Sequence, residues 1–382
     1  MPRILFLYAT DHSGHKRAAD AIQKSLLFHN PHLETSSIGF FSHHYPILGP
    51  FLFKLYVDLM RSVPNIWDYL YNSEDIASLT KELGRFFASF NVSKVTQILS
   101  KTKPDVIVCT QAIPCSFIAH EKKKGEIRIP LIAVITDFVA NPYWPNHDVD
   151  CYCVPDEEIK LQLMKKNINE KRIYVTGIPV DNSFIRKIPK YEARAKLGLN
   201  PYMNTILMMG GNQGLGKILK AVKKLIKSKN NLQFIIATGY NEKLYKKLKK
   251  VCSRNKNILV LGHQKNVSRL MDAADFLISK PGGLTSSEAL VKLLPMIILS
   301  PLPGQEQKNA FYLKKHGVAE LCKNVRNLSQ IVVNFYKNKN KIIRFQRNAL
   351  AISHPYASNQ IAEQIIKFIN HKNIAFRYQT HH

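Results

Sequence analysis

The chain has no apolar run approaching the roughly 18 residues that a bilayer-spanning helix needs, which argues against a helical membrane protein. Its six cysteines (Cys109, Cys115, Cys151, Cys153, Cys252 and Cys322) lack metal-ligand spacing. They read as reduced core thiols, with Cys151 and Cys153 expected on opposite sides of one strand. The first apolar run, 4–9, is too short for a secretory leader and meets Asp11 at once, so the expected compartment is the cytoplasm. Acidic residues are scarce in one half only. Residues 1–180 hold 20 basic and 18 acidic side chains; the remainder holds 35 and 9. The net charge of +28 therefore lies almost wholly in the second half. So large an imbalance predicts attraction to a polyanion, nucleic acid or an anionic membrane surface. The plainer reading is a solvated lysine-rich surface, since pairs such as Lys246-Lys247 fall on helix outer faces.

At 382 residues the chain exceeds what one core supports, so two domains are expected. Short apolar runs alternate with helical spacing in both halves, which predicts parallel sheets with right-handed crossovers. Strands are read at 4–9, 106–109, 131–135, 151–154 and 172–175. After the break at Gly177-Ile178-Pro179-Val180 they recur at 205–209, 233–238, 258–261, 276–278 and 295–300. The boundaries follow as a first domain over 1–178, a second over 179–355 and a helical tail over 356–382. Between the first two strands of the first half lies an aromatic stretch, 38–67, punctuated by Pro46, Pro50 and Pro64. Its Phe51, Leu55 and Leu59 make an apolar helical surface. Such a surface faces a core or dips into lipid.

Three loops carry chemistry. The first strand runs into Asp11-His12-Ser13-Gly14-His15 before a helix with small Ala18 and Ala19. One glycine rather than three excludes a dinucleotide fingerprint. The loop after 205–209 has glycines at 210, 211, 214 and 216, and Gly211 to Lys217 match the spacing of a phosphate-binding loop. However, Ile218 stands where a magnesium-binding hydroxyl is required. Gly211 is therefore read as approaching a diphosphate without ATPase machinery. Around residues 279–310, Pro281-Gly282-Gly283 leads into a helix expected to open at Thr285, and Gly304-Gln305-Glu306-Gln307 reaches the same rim. Glycines and amides at a helix start suit phosphate, and Glu288 can accept from paired sugar hydroxyls. This describes a nucleotide crevice at strand ends. Asp137, at the end of strand 131–135, is a candidate from the first half.

Asp11-His12-Ser13-Gly14-His15-Lys16-Arg17-Ala18-Ala19, Thr136-Asp137-Phe138…Trp144, Ser279–Leu290 and Pro303–Ala310 resemble, in order, the signatures of one family. It is the monogalactosyldiacylglycerol synthase and processive diacylglycerol glucosyltransferase group, relatives of the peptidoglycan lipid II glycosyltransferase. The resemblance implies an α/β GT-B fold, two Rossmann-like domains with parallel sheets facing across a cleft. It implies a UDP-sugar as donor substrate, no cofactor and no metal. Glu288 would bind the ribose; Gly283, Thr285 and Ser286 the diphosphate; Gln305, Glu306 and Gln307 the sugar. Backbone at Gly262 and His263 would meet the uracil. Gly14, His15 and Trp144 would line the acceptor side.

The resemblance leads to an inverting transfer of a hexose to a membrane lipid, with diacylglycerol as the acceptor. His15 is the first choice of base, Asp137 the second and Asp11 the third. The enzyme would sit at the cytoplasmic face of the membrane, held by its basic half on anionic lipid. Rival readings are transfer of N-acetylglucosamine to a polyprenyl-linked lipid, a UDP-sugar epimerase and a catalytically silent UDP-sugar sensor. A nucleic-acid binder fits the charge but lacks a recognition module, so no nucleic acid is expected.

Overall fold

A computed structural model describes residues 1–11, 13–40, 95–140, 144–211, 214, 217–227, 231–302 and 304–379, with backbone alone over 371–379. The apolar surface read at Phe51, Leu55 and Leu59 lies outside the described residues. The chain forms two compact units, Met1–Asn182 with Tyr356–His382, and Ser183–Pro355.

In the first unit, apolar runs become strands buried on both faces. The strands are β1 (Arg3–Tyr8), β2 (Glu34–Gly39), β3 (Val106–Cys109), β4 (Leu131–Val134), β5 (Cys151–Val154) and β6 (Ile173–Val175). They form one sheet in the order β2-β1-β3-β4-β5-β6, every pair parallel. Helix α1 (Gly14–His29) carries the chain from β1 outward to β2. The sheet then resumes on the other side of β1 at β3. This reversal puts a switch point between the carboxyl ends of β1 and β3, where open sheets receive ligands. The polar edge strand β2 is absent from the sequence reading. The cysteine expectation is corrected. Residues i and i+2 of a strand share a face, and Cys151 and Cys153 both enter one core with Phe6, Tyr8 and Ile361.

Two helices of the first half follow, α2 (Ala112–Lys123) and α3 (Glu157–Lys165). The second unit holds α4 (Lys190–Lys196), β7 (Thr205–Met209), α5 (Ile218–Lys227), β8 (Gln233–Ala237), α6 (Glu242–Cys252) and β9 (Ile258–Leu261). It continues with α7 (Val267–Ala273), β10 (Phe276–Ser279), α8 (Gly283–Val291), β11 (Met296–Leu299), α9 (Gln305–Lys315) and β12 (Ala319–Cys322). Helices α10 (Leu328–Lys337) and α11 (Lys339–Ile352) close it. Its parallel sheet has the order β12-β11-β10-β7-β8-β9, so its switch point lies between β7 and β10. The far end of α8 is pinned. Lys292 donates to Asp272 at 2.7 Å and to the Arg186 carbonyl, and burial pushes its pKa down.

The last helix, α12 (Ala357–Gln379), belongs to the first unit. Ser25 donates to Asn359 at 2.8 Å and Ser358 to the Val180 carbonyl at 2.6 Å. Its Ile361, Ala362 and Ile365 bury against β1 and β5. Among the described residues, no helix is long and apolar enough to cross a membrane.

Candidate active site

Each unit places its candidate residues at its own switch point. In the first, Ser13 caps α1, accepting from the Lys16 amide at 3.2 Å and donating to the Thr10 carbonyl at 2.7 Å. Gly14 is then the first helical residue and His15 the second. His15 Nδ1 lies 2.9 Å from the Thr110 carbonyl oxygen and 2.8 Å from Thr136 Oγ1. A carbonyl only accepts, so Nδ1 carries the proton and Nε2 keeps its lone pair. The Thr110 hydroxyl donates back to the His15 carbonyl at 2.9 Å. Burial pushes the imidazole pKa down to about 4, so the ring is neutral at ordinary pH and suited to accept a proton.

The other first-unit candidates are placed differently. Asp11 is exposed and accepts from the Tyr8 hydroxyl at 3.1 Å. Burial, then the Asp11 charge, holds the Tyr8 pKa far above its usual range, so the phenol remains a donor to that carboxylate. Asp137 is half-buried and directly follows Thr136. Trp144 is a correction. It is 4% exposed and sits in the core with Val149 and Tyr152, so it anchors its loop and offers no open face to an acceptor. The Tyr152 hydroxyl donates to the Trp144 carbonyl at 2.9 Å. Thr110, which orients His15, was not singled out by sequence. It lies 95 residues away, after a strand that shows only burial.

In the second unit two helix starts meet at adjacent strand ends, β10 and β11. Helix α8 opens at Gly283, two residues before the expected Thr285, and its cap is Gly282, which has no side chain. The first amide bonded within the helix is that of Ser286, to the Gly282 carbonyl at 2.9 Å. The N–H groups of Gly283, Leu284 and Thr285 therefore stand outside the helical ladder. Helix α9 repeats the device with Gly304 as cap, at φ 83° and again without a side-chain bond. Two positive helix ends with amides outside the helical ladder form an anion cradle. Ser279 and Ser286 add buried hydroxyls that have no hydrogen-bond partner among the described residues.

Side chains brace this cradle. Lys280 pairs with Glu306 Oε1 at 3.0 Å, the Leu302 amide donates to Glu306 Oε2 at 3.1 Å, and Asn309 donates to the Pro281 carbonyl at 3.0 Å. Both Glu306 oxygens thus already accept within the loops. They hold the two loops together, and each oxygen keeps a further lone pair for a ligand. Gln305 and Gln307 lie in the first turn of α9, Gln307 exposed. Glu288 falls in the second turn of α8 and is 1% exposed.

Glycines report where a ligand can approach. At Gly262 and Gly282 the backbone is ordinary, and a Cβ would meet nothing within 4 Å. Neither strain nor crowding calls for glycine there, whereas close approach of a ligand to main chain does. Gly211, at φ 70°, faces Lys280 across the switch point. Beside it, Tyr240 and His263 stack at 4.0 Å and 15°, a flat exposed surface at the ends of β8 and β9. Tyr240 was not expected from sequence. Among the described residues, no group of three or more His, Cys, Asp or Glu could hold a metal ion.

Residues 15–180 match the monogalactosyldiacylglycerol (MGDG) synthase family, and residues 205–364 match the glycosyltransferase family 28 C-terminal domain. The chain is a UDP-sugar glycosyltransferase. Similar curated proteins are the processive diacylglycerol beta-glucosyltransferases of Staphylococcus epidermidis (26% identical) and of Staphylococcus aureus (27%). Both alignments cover 97% of this chain and 94% of the relative. Among solved structures, the fold of this glycosyltransferase resembles the Staphylococcus aureus MnaA–UDP co-structure, at TM-score 0.63, 15% identity and 97% coverage of both chains. It also resembles Acinetobacter baumannii MurG, at TM-score 0.60 and 15% identity, over 96% of this chain and all of that one. These likenesses establish the GT-B fold. The MGDG synthase match begins at His15, and the family 28 match contains the whole cradle.

Proposed function

We propose that this glycosyltransferase moves a hexose from a UDP-sugar to the hydroxyl of a membrane lipid, diacylglycerol, with inversion and without an essential metal. The paired, glycine-capped helix starts of α8 and α9 carry this reading, because they supply fixed positive charge where the diphosphate would gather negative charge on leaving. Gly283, Thr285 and Ser286 would hold that diphosphate. Glu288 would take the ribose hydroxyls, Gly262 and His263 the uracil, and Gln305, Glu306 and Gln307 the sugar. On the acceptor side, His15 Nε2 would take the hydroxyl proton while the oxygen attacks the anomeric carbon. The bond to UDP breaks on the opposite face, and UDP leaves with its electron pair. Asp137 orients the acceptor or is the alternative base. Gly14 would line the acceptor side at the helix start on which His15 sits, and Trp144 would fix the loop that follows Asp137. The enzyme would work on the cytoplasmic face of the bilayer, drawn there by its basic half.

The acceptor assignment draws support from the similar diacylglycerol glucosyltransferases. The test is incubation with radiolabelled UDP-glucose, UDP-galactose or UDP-N-acetylglucosamine and vesicles containing diacylglycerol or a polyprenyl-linked acceptor. Label from a UDP-hexose should pass into the organic phase with diacylglycerol. Label moving only to the polyprenyl acceptor, or an altered UDP-sugar with no transfer, would overturn it in favour of the two alternatives.

A further inference from the structure

Much of the surface of unit 183–355 is basic, but most of its lysines ride on helices whose apolar residues face inward. Helix α5 buries Ile218, Ala221, Val222 and Leu225 beneath its lysines, and α6 buries Leu248 and Cys252 and exposes one aliphatic side chain, Val251 at 36%. Helix α11 is built differently. Its outer face carries two large aliphatic side chains, Ile343 at 57% and Leu350 at 66% exposure. Seven residues apart, they lie two turns apart on one stripe. Arg347 stands between them and Arg344 beside them, both exposed. The helix has four basic residues and no acid.

The surroundings continue the pattern. Lys337 and Lys339 line the groove at the α10–α11 turn. Lys314 and Lys315 border a second groove of about 410 Å³ that Arg344 also lines. Between residues 314 and 350, nine lysines and arginines face one acid, Glu320. Lys341 neutralises that acid at 2.6 Å while lying over Phe335 and Phe345. Scattered exposed aliphatic residues are ordinary. Two on one stripe, ringed by cations with no free acid, are what a helix lying in a bilayer interface presents.

We propose that α11, with Lys337, Lys339, Lys314 and Lys315, is a docking surface for an anionic lipid bilayer. Ile343 and Leu350 enter the acyl boundary, and the cations lie among the headgroups. The proposal deepens the reading of transfer to a membrane lipid, which requires the enzyme to reach a bilayer. Nucleic acid also attracts cations, but it gives outward aliphatic side chains nothing to bury against.

Flotation of the full chain with vesicles of phosphatidylcholine, with or without phosphatidylglycerol, tests this. The chain should float with phosphatidylglycerol vesicles and fall away as salt rises. Each basic residue at the surface contributes roughly fivefold in partitioning, so Arg344→Glu/Arg347→Glu should weaken it at least about 25-fold. Ile343→Ser/Leu350→Ser should weaken it while leaving the salt dependence unchanged. Lys246→Glu/Lys247→Glu on α6 serves as the charge control and should change it far less. UDP affinity, unchanged in all three, reports that the unit is folded. Equal losses from the α6 and α11 charge reversals would overturn the proposal. So would an aliphatic variant that floats normally while an RNA oligonucleotide displaces vesicles, which would mark a nucleic-acid surface. Flotation reads no sugar transfer, so its failure leaves the transfer reading intact, and failed transfer leaves the docking result standing.

Discussion

The Thr110 carbonyl sets the tautomer of His15, and the tautomer sets the direction in which a proton can move. His15→Ala should lower turnover by about 10²- to 10⁴-fold, the usual worth of a positioned base, with UDP affinity unchanged. Steady-state kinetics beside UDP titration separates the two. Because the ring is neutral down to a pH of about 4, turnover should be level near neutrality and fall only as acid approaches that value. Stability carries the same signature. The unfolded imidazole titrates near 6.5 and the folded one near 4, so between those values the unfolded state binds more protons. Stability should therefore fall as pH drops from about 6.5 towards 4 and stay level above that window. Thermal melts across the window should show a shallower slope for His15→Gln. His15 was singled out in the sequence because it directly follows the loop's one glycine at a helix start. Thr110 was not, because its partnership spans 95 residues. The bracing of Glu306 by Lys280 and the Leu302 amide was hidden for the same reason, since Lys280 lies 26 residues away.

At the scale of elements, two glycines predict opposite outcomes. Gly282→Ala adds a methyl to open space on an ordinary backbone, so the thermal midpoint should hold while UDP affinity falls. Gly214→Ala would put a Cβ 2.4 Å from the Thr238 carbonyl oxygen on a backbone with φ of 56°. It should cost about 1–3 kcal/mol of stability, read by denaturant unfolding, because Gly214 packs directly on the turn that follows β8. The same scale shows what the sequence could carry. Central strands such as β3, β7 and β10 are buried on both faces and spell continuous apolar runs. The two unexpected strands, β2 (Glu-Thr-Ser-Ser-Ile-Gly) and β12 (Ala-Glu-Leu-Cys), are both sheet edges with mixed composition, so no apolar run announces them. The start of α8 was read two residues late because hydroxyl residues usually cap helices. Here the cap is Gly282, which leaves the first amides open.

For the whole molecule, the division into two units predicts that donor nucleotide acts on one of them. At a hundredfold excess over its dissociation constant, UDP should stabilise unit 183–355 by about 2.7 kcal/mol. New amide protection in hydrogen exchange should gather at the starts of α8 and α9. Protection spread evenly over β1–β6 would place the nucleotide in the wrong unit. The charge division at residue 180 was legible from composition, and so was the two-domain plan. Which helix turns apolar side chains outward was not, since α11 mixes basic and apolar residues as α5 and α6 do. The central claim is inverting transfer of a hexose from UDP to a lipid hydroxyl, with His15 as base. The most direct test is the anomeric configuration, by proton NMR, of glycolipid made from α-linked UDP-glucose and diacylglycerol. A β-linked glucolipid, formed by the unchanged chain and lost in His15→Ala, is the predicted result. An α-linked product, or a β-linked one made as fast by His15→Ala, would contradict it.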